Sequence, residues 1–105
     1  MSTLDASVHF PNSSLDFIYV DASHLYADVR ADLEAWWPKL KHGGLMAGDD
    51  YFNGYVPLAK YTFGVKDAVD EFASAHNHRV YITSRAWVHH DAALMQQWYV
   101  YKCAE

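Results

Sequence analysis

Four residues in the first half of the chain have the types and spacing to do chemistry: Asp21, His24, Asp49 and Asp50. Carboxylates gathered at one place raise each other's pKa unless a cation or a hydrogen-bond donor intervenes. An oxygen-rich set of this kind suits Mg²⁺ or Ca²⁺ better than zinc. His24, three residues after Asp21, offers a general base for an acceptor hydroxyl, or a fourth ligand. Each has a plainer use as well. Asp21 fits a helix N-cap, Asp49 and Asp50 fit a turn after a strand, and His24 fits a helix-start histidine bonded to a nearby carboxylate. The compact group His89, His90 and Asp91 reads as solvated histidines on a polar loop rather than as a metal site.

These residues need elements to bring them together. Leu15, Phe17, Ile18 and Val20, and again Leu45, Met46 and Ala47, form near-continuous apolar runs, the mark of parallel strands covered on both faces. Parallel neighbours require a crossover, and residues 25–40 supply an amphipathic helix. Leu25, Val29, Leu33, Trp36 and Leu40 recur at helical spacing, while Asp28, Asp32 and Lys39 fall towards solvent. Pro38 ends or kinks that helix, and Gly43 or Gly44 takes a left-handed turn into the next strand. Strands so joined lie about 4.8 Å apart, so acids just past their ends share one small volume. Ligands of open α/β sheets bind at that edge.

Residues 51–63 read as a loop long enough to act as a lid, with Tyr51, Phe52 and Tyr55 as candidates to stack on a substrate. Val65, Ala68, Val69, Phe72 and Ala73 mark a second amphipathic helix. A third strand is expected at residues 80–83 and a last one at residues 98–102, the short connection favouring an antiparallel return. Trp36, Trp37 and Trp98 are core or interface aromatics. With right-handed crossovers both helices cover one face of the sheet, and the polar residues 1–14, with a turn at residues 11–14, cannot cover the other.

At 105 residues, 51% hydrophobic and 16% aromatic, the chain has the composition of one globular domain. A net charge of −5 without a basic run argues against nucleic-acid or anionic-membrane binding. The lone Cys103 excludes an intrachain disulfide and reads as a tolerated thiol in a reducing compartment. With neither a long apolar stretch nor a signal-peptide pattern, the expectation is a soluble cytoplasmic protein.

The segment LDFIYVDASHLYADVRADLEAWWPKLKHGGLMAGDDY resembles the fourth strand, following helix and fifth strand of class I S-adenosylmethionine-dependent methyltransferases. The similar branch is the small-molecule one that includes metal-dependent O-methyltransferases. GVKDAVDEF resembles that family's next helix, and RVYITSRAW and QQWYVYK its two closing antiparallel strands, so the resemblance covers nearly all of the chain. It implies an α/β fold: a partial Rossmann-like sheet of about four strands, two or three parallel plus an antiparallel closing strand, with two helices on one face. The implied strand order is first, second, fourth, third. Residues 1–105 would form a single domain equivalent to the C-terminal half of a methyltransferase domain.

The resemblance further implies methyl transfer from S-adenosylmethionine to an oxygen of a small molecule. Asp21, Asp49 and Asp50 would hold Mg²⁺ or another divalent cation, and Asp21 and His24 would be catalytic. The family's glycine-rich turn has no counterpart, since all five glycines lie at or after Gly43. The main cofactor site is therefore expected to be missing and the isolated chain inactive. A partner is implied, either a second copy in a homodimer or a separate chain supplying the N-terminal half. The alternative is a non-catalytic homo-oligomeric binding module or a truncated methyltransferase remnant.

Overall fold

The computed structural model describes residues 3–20, 23–57, 59–83 and 96–103. Its elements are α1 (Thr3–Ser7), β1 (Leu15–Val20), α2 (Tyr26–Trp36), β2 (Leu40–Gly48), β3 (Asn53–Val56), β4 (Tyr61–Gly64), α3 (Val65–Ala75), β5 (Tyr81–Ile82) and β6 (Trp98–Tyr101). The main sheet has the order β1-β2-β6-β5, the expected first, second, fourth, third. β1 and β2 run parallel, while β6 is antiparallel to β2 and to β5.

The register Val20↔Gly48 ends β1 and β2 side by side. α2 makes the crossover, and α3 packs beside it on the same face of the sheet. Val29 and Leu33 of α2 and Val69 and Phe72 of α3 join Ile18, Met46, Trp98 and Val100 of the strands in one buried cluster. The five apolar positions that mark the second helix in the sequence are the ones α3 buries. On the sheet's other face Phe17, Tyr19, Tyr81 and Tyr101 remain exposed.

Four local expectations are corrected. The crossover helix stops at Trp36, and residues Trp37–Lys39 form a 3₁₀ turn, because Pro38 has no N–H to continue the ladder. Leu40 is consequently a buried strand residue, and Leu25 an exposed residue at the helix start. Carbonyls left over at this helix end are satisfied from far along the chain: the buried Lys102 ammonium donates to the oxygens of Trp37 and Leu40, both at 2.8 Å. Burial lowers the Lys102 pKa.

Asp32 does not face solvent. It is 5% exposed and accepts a 2.8 Å bond from the Thr3 hydroxyl, because residues 3–7 form α1 against α2 rather than a plain polar lead-in. Residues 51–63 are not a simple loop, since β3 and β4 pair as an antiparallel hairpin from Asn53↔Gly64 to Val56↔Tyr61. Gly43, with φ +87°, makes the left-handed excursion, but it does so within β2, where the register with β1 shifts.

Gly48 has a packing role. A Cβ there would lie 2.5 Å from the Trp98 ring, so the indole closes over the end of β2 only because glycine is present. Gly48→Ala is expected to destabilise the fold by about 1–3 kcal/mol through overpacking, read as a fall in the urea midpoint at constant slope.

Burial pushes the Asp32 carboxyl above its ordinary 3.8, with the Thr3 bond opposing and the Asp28 charge adding. A folded pKa above the unfolded one gives a stabilising contribution that is complete below pH 3.8 and lost as pH rises through the folded value. Asp32→Asn should remove that decline from a stability-versus-pH profile, and an unchanged profile would assign it to other groups.

Candidate functional site

The parallel register delivers the ends of β1 and β2 to one edge. Asp49 and Asp50 follow β2 directly, and His24 lies between β1 and α2. The structure brings His24 and Asp50 into contact, His24 Nε2 to Asp50 Oδ2 at 2.7 Å, with both side chains partly exposed. Asp50 adopts φ +55°, a region uncommon for a residue with a side chain, and its N–H donates to Asp49 Oδ1 at 2.9 Å. The turn thus directs the Asp50 carboxylate to His24 while Asp49 braces the backbone.

The hairpin fixes the histidine from the other side. Phe63 of β4 stacks on the imidazole, with centroids 4.2 Å apart and planes 8° from parallel, and Phe52 meets Phe63 edge-on. The Gly64 N–H donates to the His24 carbonyl at 2.9 Å. Asn53 ties the same hairpin to α3: its side-chain oxygen accepts from the Asp67 N–H at 3.1 Å and its amide donates to Asp67 Oδ1 at 2.9 Å. That bond supplies a cap to α3, whose own N-cap residue is Gly64.

Among the candidate substrate-stacking residues, Tyr55 is exposed on β3 and Phe52 lies in the aromatic stack. Tyr51 is occupied elsewhere. Its hydroxyl donates to Asp70 of α3, and burial, then the Asp70 carboxylate, pushes its pKa up, so its phenol is no proton carrier near neutrality. Asp21, His89, His90 and Asp91 lie outside the described residues. Among the described residues no three His, Cys, Asp or Glu side chains gather as a metal set, so the metal reading turns on Asp21. Sequence reasoning missed Phe63 and Asp70. The β-formers Tyr55 and Val56 before Pro57, and Tyr61, Thr62 and Phe63 after it, are the hairpin signal that could have revealed the first.

Known proteins share this fold. Residues 1–51 match the family model described as a methyltransferase domain. A 54-residue stretch is 37% identical to an uncharacterized protein of Sinorhizobium fredii, covering 51% of this chain and 5% of that protein. Among solved structures, a protein of Corynebacterium glutamicum is similar with TM-score 0.68 at 20% identity, over 100% of this chain and 46% of that one. A protein of Thermus thermophilus, provisionally assigned as a DNA modification methylase and solved with S-adenosyl-L-methionine, gives 0.66 at 8% identity, over 99% and 52%. A SAM-dependent methyltransferase from Archaeoglobus fulgidus gives 0.60 at 10%, over 95% and 64%.

This chain therefore has the fold of part of a SAM-dependent methyltransferase domain, and its first 51 residues carry the methyltransferase-domain match. It spans roughly half the length of the solved structures it matches, and 5% of the curated relative. No helix among the described residues is long and apolar enough to cross a membrane.

Cofactor cradles use glycines to let backbone approach a nucleotide, and Gly44, Gly48 and Gly64 do not fit that use. The Cβ positions of Gly44, Gly48 and Gly64 are filled by Leu40, Trp98 and Tyr26, while Gly43 lies at the far end of β2 from Asp49. A Cβ on Gly64 would meet Tyr26 at 2.7 Å and its backbone at 3.1 Å, so Gly64→Ala is expected to push the hairpin off α2. The His24 imidazole resonances in NMR should then shift, as they also should in Asp50→Asn. Unshifted resonances in Gly64→Ala would mean that the hairpin does not position His24.

Proposed function

We propose that this chain is the acceptor-side part of a SAM-dependent methyltransferase acting on a hydroxyl oxygen of a small molecule, completed by further polypeptide. The observation that carries the reading is the 2.7 Å bond between His24 and Asp50 at the sheet edge where ligands of such folds bind. With Nε2–H donated to Asp50, the imidazole is held in one tautomer and Nδ1 is the basic nitrogen. An acceptor hydroxyl gives its proton to His24, and the Asp50 carboxylate stabilises the imidazolium that forms. Phe63 and Phe52 wall the site on the hairpin side, and Tyr55 offers an exposed ring to an aromatic acceptor. S-adenosylmethionine supplies the electrophilic methyl group, and the residues that cradle it belong to the completing polypeptide. A divalent cation, if Asp21, Asp49 and Asp50 held one, would help orient the acceptor oxygen.

The experiment is calorimetric titration of S-adenosylmethionine into the chain, with Mg²⁺ and with chelator, followed by methyl transfer to a panel of phenols once a completing polypeptide is present. The chain alone should show no saturable binding at low micromolar cofactor, and saturable binding would overturn the division of labour. In the completed enzyme His24→Ala should cost about 10²–10⁴-fold in kcat, with a smaller loss for Asp50→Asn. An unaffected His24→Ala would remove the base.

A further inference from the structure

A second pocket lies at the opposite end of the sheet from His24 and Asp50. There the turn after α3 meets the start of β5 and the end of β6, and residues 76–79, Tyr81, Tyr101 and Cys103 line a space of about 600 Å³. Small-molecule sites run from about 300 to 1,000 Å³. Register separates the two places: Tyr101 pairs with Leu45, whereas Trp98, at the other end of β6, pairs with Gly48, the residue before Asp49. The turn is held in shape by its own bonds. Asn77 takes φ +58°, and the N–H groups of His76, Asn77 and His78 donate to carbonyls of Phe72, Ala73 and Ser74, which offsets the negative pole of the helix end. His78 Nδ1 donates to the His76 carbonyl at 2.6 Å, and its Nε2 accepts from the Cys103 N–H at 3.2 Å. Both ring nitrogens are thereby spent, so His78 ties the turn to β6 without offering a ligand a donor.

The fixed charge of the pocket is Arg79. Its exposed guanidinium lies 5.8 Å from the Tyr81 ring centroid, and no carboxylate among the described residues pairs with it. Glu34 reaches the lining at His76, 3.5 Å from Nε2, but also lies 3.4 Å from Arg30 Nη2, so its charge is shared between two donors. In a chain of net charge −5 the pocket has no Asp or Glu among its described lining residues, which makes it a local exception to the repulsion of anions. A guanidinium is a planar fork of donors matched to a carboxylate. Beside it Tyr81 and Tyr101, with centroids 6.3 Å apart and planes 71° from parallel, form a corner. A flat ring set against one of them meets the other edge to face. One cation also suits a monoanion, since a phosphate dianion would leave charge uncompensated on an already negative chain. We infer that this pocket binds a small aromatic carboxylate, with its carboxylate on Arg79 and its ring in the corner of Tyr81 and Tyr101. The site is separate from the methyl-transfer reading, because none of its residues serves the His24 edge.

The probe is benzoate, titrated into the whole chain at low ionic strength and followed by amide NMR, with benzamide as the uncharged match and acetate as the ringless one. Benzoate should shift residues 76–81 and 101–103 saturably, and the other two should bind at least tenfold more weakly. Arg79→Gln should weaken benzoate at least tenfold. Should that variant not fold, Arg79→Lys, which keeps the charge and loses the fork, should weaken it at least threefold. Tyr101→Leu should weaken benzoate severalfold and leave acetate unchanged. Cys103, exposed at the pocket and the chain's single cysteine, gives an independent readout: saturating benzoate should slow its alkylation by iodoacetamide at least twofold. Benzamide binding as tightly as benzoate, full affinity in the Arg79 variant, shifts confined to the His24 edge, or unchanged alkylation would each overturn the inference.

Discussion

The parallel pairing of β1 with β2, from Phe17↔Leu45 to Val20↔Gly48, is the constraint on which the site depends. Parallel neighbours finish together, so whatever follows each strand emerges at the same edge and at strand spacing. The pairing requires a crossover, and α2 makes one by burying Val29 and Leu33 on the face that also takes α3. A one-residue slip would exchange the faces of β1, placing Phe17 in the core and Ile18 in solvent. It would also carry the end of β1 away from Gly48, so register and site position are held by the same packing.

Around that edge the chain uses short polar contacts to orient one histidine. Asp50 holds its ring nitrogen, Phe63 its ring plane and Gly64 its carbonyl. Exposed ion pairs contribute little stability, so the contact with Asp50 matters more for where the imidazole points than for folding. The hairpin in turn is anchored by Asn53 on α3 and by the Tyr51–Asp70 bond. Helix packing is thereby relayed to His24 through the hairpin.

The two faces of the sheet have different fates. One carries both long helices and nearly all the buried apolar side chains. The other presents aromatic rings between a stacked Tyr81–Tyr99 pair, with centroids 5.3 Å apart, and Phe17. Burial of such rings is among the larger favourable terms available to a small domain, and a fold that leaves them on one side has interaction energy unused in the isolated chain. Three of the glycines, Gly44, Gly48 and Gly64, are packed on the chain's own side chains, while Gly43 and Gly54 take positive φ.

Much of the architecture was legible along the chain because it is written in periodicity. Apolar runs marked β1 and β2, the 3.6-residue rhythm marked the buried face of α3, and the strand order came with the family resemblance; the juxtaposition of a helix-start histidine with a post-strand carboxylate followed from topology. Other features depend on partners far apart in sequence, which periodicity does not encode. Asp32 reads as a surface acid until Thr3, 29 residues away, meets it. Lys102 reads as a strand-end lysine until the helix end at Pro38 presents carbonyls to it. Local amphipathicity by itself determined which faces turn inward; only the tertiary structure decided which polar groups were enclosed with them, because desolvation and hydrogen-bond pairing are settled by neighbours that the chain brings together last.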